Sequence, residues 1–262
     1  TRTISSAASD VYKRQMAGSL RVTGGFEALI AALSDRIPNH RKQLNTPVIA
    51  LNMSDHRCIA TLSDSSNIIV DQVVLCMPPR IAAQLSFTPE LPAATMQAMQ
   101  EIPTWMAGQA KAIAVYDTPF WRINGFSGQA TSRKGPMIEI HDASPADGGP
   151  YALFGFIGIP PAGREDVALL RQHLIAQLIR LFGPQAAMPK QLKIQDWASA
   201  KYTATEADKE PMYAHPNYGL PPTLTKLWNH KLHFAGTEVA PTFGGYIEGA
   251  LEAVENVLDV LN

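Results

Sequence analysis

Between Leu232 and Leu261 the chain reads LHFAGTEVAPTFGGYIEGALEAVENVLDVL. A short apolar run, a loop of small residues and a long helical repeat follow one another there. This restricts the chain to folds in which a buried strand (Leu232 to Ala235) feeds a helix through a tight connection (Gly236 to Gly244). In the helix, Ile247, Leu251, Val254, Leu258 and Leu261 recur at helical spacing, with Ala250 and Val257 on the same stripe. Glu248, Glu252, Glu255 and Asp259 take the other faces, so the apolar stripe is expected to be core. Gly244 and Gly245 let the backbone at the helix start come close to another molecule, and the first N–H groups of the helix have no partner inside it. Such an end suits an electron-rich or anionic ligand. A generic strand-to-helix connection would use the same glycines, so spacing alone leaves both readings open.

The spelling of the stretch goes further. FAGTE followed by GGYIEGA resembles the C-terminal flavin-binding signature of the flavin-dependent amine oxidases, the family of monoamine and polyamine oxidases. The resemblance implies FAD as cofactor, with Gly236, Thr237 and Glu238 near its ribityl and phosphate part. It also implies that Gly245, Tyr246 and Ile247 lie along the isoalloxazine ring, with the Tyr246 side chain turned to the substrate. A second segment, MAGQAKAIAVYDTPFWR from Met106 to Arg122, sets Lys111 alone among Ala110, Ala112, Ile113, Ala114 and Val115 in a strand expected to be buried on both faces. A lone buried ammonium is costly unless something pairs with it. Lys111 therefore either snorkels to solvent from an edge or has a chemical reason to be there; by resemblance, that reason is a water held between it and flavin N5. DWASAKY is similar to the family's W-x-x-x-x-Y segment beside the flavin, which makes Trp197 a cofactor contact and Tyr202 a pocket residue. PVIAL (Pro47 to Leu51) resembles the strand that passes the adenine, with Val48 as its backbone contact, and VDQVVLCMPPR (Val70 to Arg80) resembles a strand ended by two prolines, with a structural role only.

Strands are also expected at Gly135 to Ile140 and Tyr151 to Ile159. Period-two alternation would put Met137 and Glu139 on one face. Glu139 then either meets solvent or places a carboxylate in the substrate cavity, where it would hold the second ammonium of a diamine. Phe156 is either core or an apolar wall of that cavity. The position at which some relatives attach flavin through a cysteine falls on Glu206, which implies noncovalent FAD. The second tyrosine of the monoamine oxidases' aromatic cage falls on Ala207, which leaves Tyr246 without a partner ring. The reaction implied is oxidation of a small-molecule amine by hydride transfer to flavin N5, hydrolysis of the imine, and reoxidation by dioxygen to give hydrogen peroxide. An amino-acid oxidase, a desaturase and a non-catalytic binding module are the other readings; an arginine in the pocket would favour the first.

The fold class expected is a mixed α/β protein. Residues 16–80 and 196–262 would form parts of an FAD-binding domain, and 81–195 an inserted substrate-binding domain of mixed sheet plus helices. Residues 1–15 have no apolar periodicity and read as a non-native or disordered leader. An amphipathic helix is expected over Arg21 to Ile37, with Phe26, Leu29, Ile30, Leu33 and Ile37 on one side. Strands are expected at Arg57 to Leu62, Asn67 to Leu75 and Lys190 to Ala198, and a helix at Arg164 to Phe182. The family's glycine-rich GxGxxG turn after a first strand is absent, since Gly24-Gly25 lacks the strand and the spacing. The chain is therefore expected to be the C-terminal part of a longer protein, inactive by itself.

With a net charge of −1 and scattered Lys and Arg, no nucleic-acid partner is expected. Two cysteines are too few for a disulfide framework or a cysteine metal site, and they fit a reducing, cytoplasmic location. No run approaches the roughly 20 apolar residues of a membrane span, so no membrane partner is expected. Seven histidines lack ligand spacing, and neither H-E-x-x-H nor G-x-S-x-G occurs, so neither metal nor hydrolase chemistry is expected. Nothing in the sequence fixes the oligomeric state.

Overall fold

Gly24 and Gly25 take positive φ values (79° and 74°) and turn the chain into α1 (Gly25–Asp35), in a computed structural model that describes residues 22, 24–145, 148–210 and 212–261. The leader assigned to 1–15 lies outside the described residues. The helix has the expected periodicity, yet Phe26, Leu29, Ile30, Leu33 and the following Ile37 are all exposed. An antiparallel meander follows: β1 (Val48–Ser54), β2 (Arg57–Leu62) and β3 (Asn67–Val70). Asp55 and His56 link the first two strands, both at positive φ, as a two-residue hairpin requires if its twist is to match the strands. The single strand expected over Asn67 to Leu75 is broken. After Val70 the chain leaves the meander, and β4 (Val73–Leu75) pairs in parallel with a distant strand instead. Pro78 and Pro79 then end it and open α2 (Pro79–Ala82). β5 (Ser86–Thr88) returns parallel to β1, giving the order β3-β2-β1-β5, and α3 (Ala93–Glu101) follows.

The change of core falls after Met99. Residues from Leu51 to Met99 share one apolar cluster with Leu224 to Val257, whereas Ala110 to Ala186 form a second. The second cluster has its own antiparallel sheet, made of β6 (Ala110–Tyr116), β7 (Ala130–Thr131), β8 (Met137–Asp142), β9 (Tyr151–Ile157) and β10 (Gln191–Asp196), in the order β10-β6-β9-β8-β7. The short α4 (Phe120–Ile123) buries Phe120 and Trp121 beside it. One sheet face is covered by α5 (Val167–Phe182), whose Leu170, Leu174, Leu178 and Phe182 meet Ala110, Ala112, Ala114 and Tyr116. The Asp166 carboxylate accepts from Leu169 N at 2.9 Å and caps this helix. The expected burial of β6 on both faces is thus corrected: its even-numbered residues are core, while Lys111 and Ile113 stand on a face that α5 does not cover.

At the end of β8 the Asp142 carboxylate accepts from Arg122 Nε (2.6 Å), Trp121 Nε1 (2.8 Å) and Ser144 N (2.9 Å). Burial alone would raise its pKa, but these donors overcome that and hold it at about 2. A depressed folded value makes this contribution to stability present above the unfolded pKa, about 4, and lost as pH falls toward 2. We expect acid unfolding followed by circular dichroism to show this loss, and Asp142→Asn to remove it while lowering stability at pH 7.

The distant partner of β4 is β11 (Leu232–Phe234), buried throughout, as the opening stretch of the sequence implies. A loop leads from it to α6 (Ile247–Leu261). The face of α6 that packs is the narrow row Gly249, Ala253 and Val257, whereas Ile247, Leu251, Val254 and Leu258 are exposed. Of the expected stripe, Val257 is buried and Leu261 packs against the first core, so the face that packs is rotated toward Gly249 and Ala253 and only part of the stripe meets the core.

Candidate active site

The open face of the second sheet collects the chemistry. Lys111 Nζ lies 4.9 Å from the Phe156 ring centroid, 5.2 Å from that of Trp197 and 5.7 Å from that of Phe154. Strand register explains the first contact, because Lys111 is paired directly with Phe156. Among the described residues no carboxylate pairs with this ammonium, and burial pushes its pKa down. The ring faces supply electrostatic compensation worth roughly 0.5–2 kcal/mol apiece at such sites. A cavity of about 860 Å³ opens here, lined by Lys111, Phe154, Arg171, Lys193 and Trp197 among others. Phe154 rather than Phe156 lines it; Phe156 backs Lys111.

A β-bulge between Met137 and Glu139 breaks the alternation expected in β8. Met137 is buried in the core under α5, and Glu139 is paired with Phe156 on the open face, so the two do not share a face as expected. The Glu139 carboxylate is 3.3 Å from His141 Nε2, and the His141 ring stacks on Phe154 (5.9 Å, 26°). Tyr202 is exposed, with Lys201 Nζ 5.3 Å from its ring, and does not line the cavity.

Trp197 is held from behind. Asp196 precedes it and takes a bidentate ion pair from Arg164, Nε to Oδ2 at 2.6 Å and Nη2 to Oδ1 at 2.8 Å. Arg164, only 4% exposed, also donates to the Ile159 and Gly108 carbonyls at 2.6 Å each. Such a fork fixes the plane of the carboxylate and the backbone it sits on. Trp197 N–H then donates to Gln109 O at 3.0 Å, next to the strand that carries Lys111.

The loop between β11 and α6 forms a second group. Gly236 packs against Met77, where a Cβ would stand 2.9 Å from the carbonyl oxygen. Thr237 Oγ1 donates to Tyr246 O at 2.7 Å and ties the loop to the helix start. Glu238 is 3% exposed, near the buried hydroxyl of Thr104; burial pushes its pKa up, with Asp208 adding to the rise. A raised folded value means that its stabilising contribution is complete below the unfolded pKa and is lost as pH rises through the folded one. Glu238→Gln should therefore stabilise the protein at pH 7 and change little near pH 4, as urea denaturation at the two pH values would read. Asp208 itself is a buried hub. It takes Arg80 Nη1 at 2.5 Å, Thr104 N at 3.3 Å, and Thr205 N and Oγ1 at 2.8 and 2.7 Å. Glu206 is exposed and paired with Lys209.

Tyr246 does have a partner ring, contrary to the expectation from Ala207. His215 stacks on it, with centroids 5.6 Å apart and planes 9° from parallel, and is flanked by Trp105 (4.9 Å) and Tyr218 (5.5 Å). Its Nδ1 is 2.8 Å from the Pro216 carbonyl and donates to it, which leaves Nε2 toward Gly245. At Gly245, whose φ of 82° favours glycine, a Cβ would stand 3.0 Å from that nitrogen. Sequence spacing offers no signal for His215, because it stands in a segment without periodicity and 31 positions before its partner.

A family model described as flavin containing amine oxidoreductase matches residues 4–257. The chain belongs to this family. It is 28% identical over 242 residues to a Dictyostelium discoideum protein named as a flavin-containing monoamine oxidase A, an overlap of 89% of this chain and 51% of that protein. With flavin-containing amine oxidase B of Cavia porcellus it shares 25% identity over 276 residues, 96% of this chain and 51% of that one. The chain thus spans about half the length of the curated relatives it matches. Among solved structures, a putrescine oxidase bound to putrescine is similar at a TM-score of 0.69 and 20% identity, and a cyclohexylamine oxidase from Brevibacterium oxydans at 0.66 and 23%. Each overlap covers 91% of this chain and 53% of the other, and at such identities the likeness speaks to the mixed α/β fold alone.

For a flavin of this family, the start of α6 offers suitable groups. Tyr246 N–H donates to Phe243 O and Ala250 N–H to Tyr246 O, while the amides between them have no partner among the described residues. Tyr246 and Ile247 beside them are exposed. Free donors next to an exposed apolar edge fit the electron-rich, hydrogen-bond-accepting rim of a flavin ring. Val48 begins β1 at the border of the first core.

Proposed function

We propose that the intact protein oxidises an amine using noncovalently held FAD. FAD, when bound, supplies the acceptor for the hydride from the amine's α-carbon and passes the electrons to dioxygen, giving hydrogen peroxide; water hydrolyses the imine. Gly236, Thr237 and Glu238 would hold the cofactor's ribityl and phosphate part, Val48 its adenine, and Gly245, Tyr246, Ile247 and Trp197 its ring. Lys111 would hold a water at the reacting edge, and Tyr246, stacked on His215, would orient the amine. Glu139 and Phe156 would stand at the far end of the substrate region, with Tyr202 at its rim. In this reading 16–80 and 196–262 belong to the FAD-binding domain and 81–195 to the substrate domain, and the protein is cytoplasmic. Among the described residues no helix is long and apolar enough to cross a membrane.

The observation that carries the proposal is Lys111. A half-buried ammonium with three ring faces around it and, among the described residues, no carboxylate partner is a costly arrangement that packing does not require. The test compares this chain with one extended upstream, by visible absorbance before and after anaerobic addition of an amine panel. A yellow extended protein bleached by an amine, beside a colourless short one, supports the reading and the inactivity of this portion alone. Absence of flavin from both rejects it.

A further inference from the structure

We propose that Glu252 is a positioning residue for the amine oxidation: its carboxylate grips the loop at Thr242 and Phe243 and so fixes where Tyr246 stands. The inference rests on the amine-oxidase reading and adds to that site a residue that acts through the loop.

Glu252 lies about one and a half turns into α6. Helical side chains lean toward the N-terminus of their own helix, so this one reaches back over the first turn. It meets two backbone donors there. Phe243 N–H donates to Oε2 at 2.9 Å, and Thr242 N–H is shared between Oε1 at 3.2 Å and Oε2 at 3.3 Å. The Phe243 amide is the main cause that holds this carboxyl below the usual carboxylate range, against a smaller rise from burial, and Thr242 adds to the lowering.

The loop is seated as well as gripped. Gly249 stands three residues before Glu252, on the same side of the helix. A Cβ on Gly249 would overlap the Phe243 carbonyl and stand 2.7 Å from Thr237 Oγ1. That carbonyl accepts from Tyr246 N–H at 3.1 Å, and Thr237 Oγ1 donates to Tyr246 O at 2.7 Å. Tyr246 is thus tied through both of its backbone polar groups, and one of the two ties runs through Phe243 to Glu252. Gly244 and Gly245 lie between, and two successive glycines give a loop freedom that a hold on Phe243 removes.

The arrangement calls for a carboxylate. Its contacts fall on both oxygens, whereas glutamine offers one oxygen and would turn its own N–H donors toward the loop amides. Glu255, nearly one turn further on, is exposed and accepts no loop amide among the described residues, which makes it a matched control.

The test compares the upstream-extended protein in excess FAD with its Glu252→Gln and Glu255→Gln variants. Two quantities are read: amide hydrogen exchange in the loop, and the limiting rate of anaerobic bleaching by whichever amine of the panel bleaches the parent fastest. Each substitution removes one charge and keeps helix propensity. We expect Glu252→Gln to speed exchange at Thr242, Phe243 and Tyr246 about ten-fold or more. Its bleaching should slow about ten-fold at an unchanged half-saturating amine concentration, as a small misplacement of an orienting group does. Glu255→Gln should change neither. Gly249→Ala crowds the Phe243 carbonyl without altering charge and should slow bleaching in the same way. Unchanged loop exchange in Glu252→Gln, or an equal effect of Glu255→Gln, would overturn the inference. So would normal bleaching in a variant whose loop amides exchange fast, because the grip would then be structural only. A parent that holds no flavin, or that no amine bleaches, removes the oxidase reading and the catalytic role together; the exchange rates still decide whether Glu252 fixes Tyr246.

Discussion

Replacing Arg164 by alanine is expected to cost about 3–5 kcal/mol of stability, the range for breaking a buried ion pair from one side. The guanidinium is almost fully enclosed, and its hydrogen bonds among the described residues are structural: to both oxygens of Asp196 and to the carbonyls of Ile159 and Gly108. Removing it strands a carboxylate and two carbonyls in a place that water reaches poorly. Much of the loss should follow from that stranding. The double variant Arg164→Met with Asp196→Asn should recover part of it, and lysine at 164 should not, because a point charge cannot reproduce the fork. Urea denaturation of the three variants measures this. Trp197 follows Asp196 directly, so its fluorescence should shift in the Arg164 variants even under conditions where they stay folded.

Lys111→Met is expected to move stability and activity in opposite directions. Burial holds the Lys111 pKa down, which means that the protein keeps an ammonium at neutral pH at some cost; an apolar side chain of similar length removes that cost. The variant should unfold at a higher urea concentration than the parent. In the extended, FAD-loaded protein, amine-driven bleaching should fall by about 10²-fold or more, the usual scale for losing a positioned proton-transfer group or the water it holds. A purely structural lysine predicts stabilisation with unchanged bleaching, which would reject the assigned role.

The parts of this molecule that were legible in the sequence are those in which one segment carries its own meaning. FAGTE and GGYIEGA pointed to the family from spelling, and Lys111 stood out because an ammonium among alanines is anomalous wherever the strand lies. Contacts made across the chain were not legible. His215 reaches Tyr246, and Asp208 reaches Arg80, only after the whole fold has formed. Glu139 and Met137 were separated by a bulge that inverts alternation, and a single inserted residue leaves no compositional trace. The apolar stripes of α1 and α6 show a different limit. Periodicity reports that a face is apolar, and it is silent on what covers that face.

Asp208 has a consequence for how the molecule opens. One carboxylate gathers donors from α2, from the segment before β6 and from the turn that contains it. Those segments cannot loosen one at a time. Amide hydrogens of Thr104 and Thr205, though a hundred residues apart, should exchange with solvent in a single cooperative opening, and Asp208→Asn should release both together while the strands on either side stay protected.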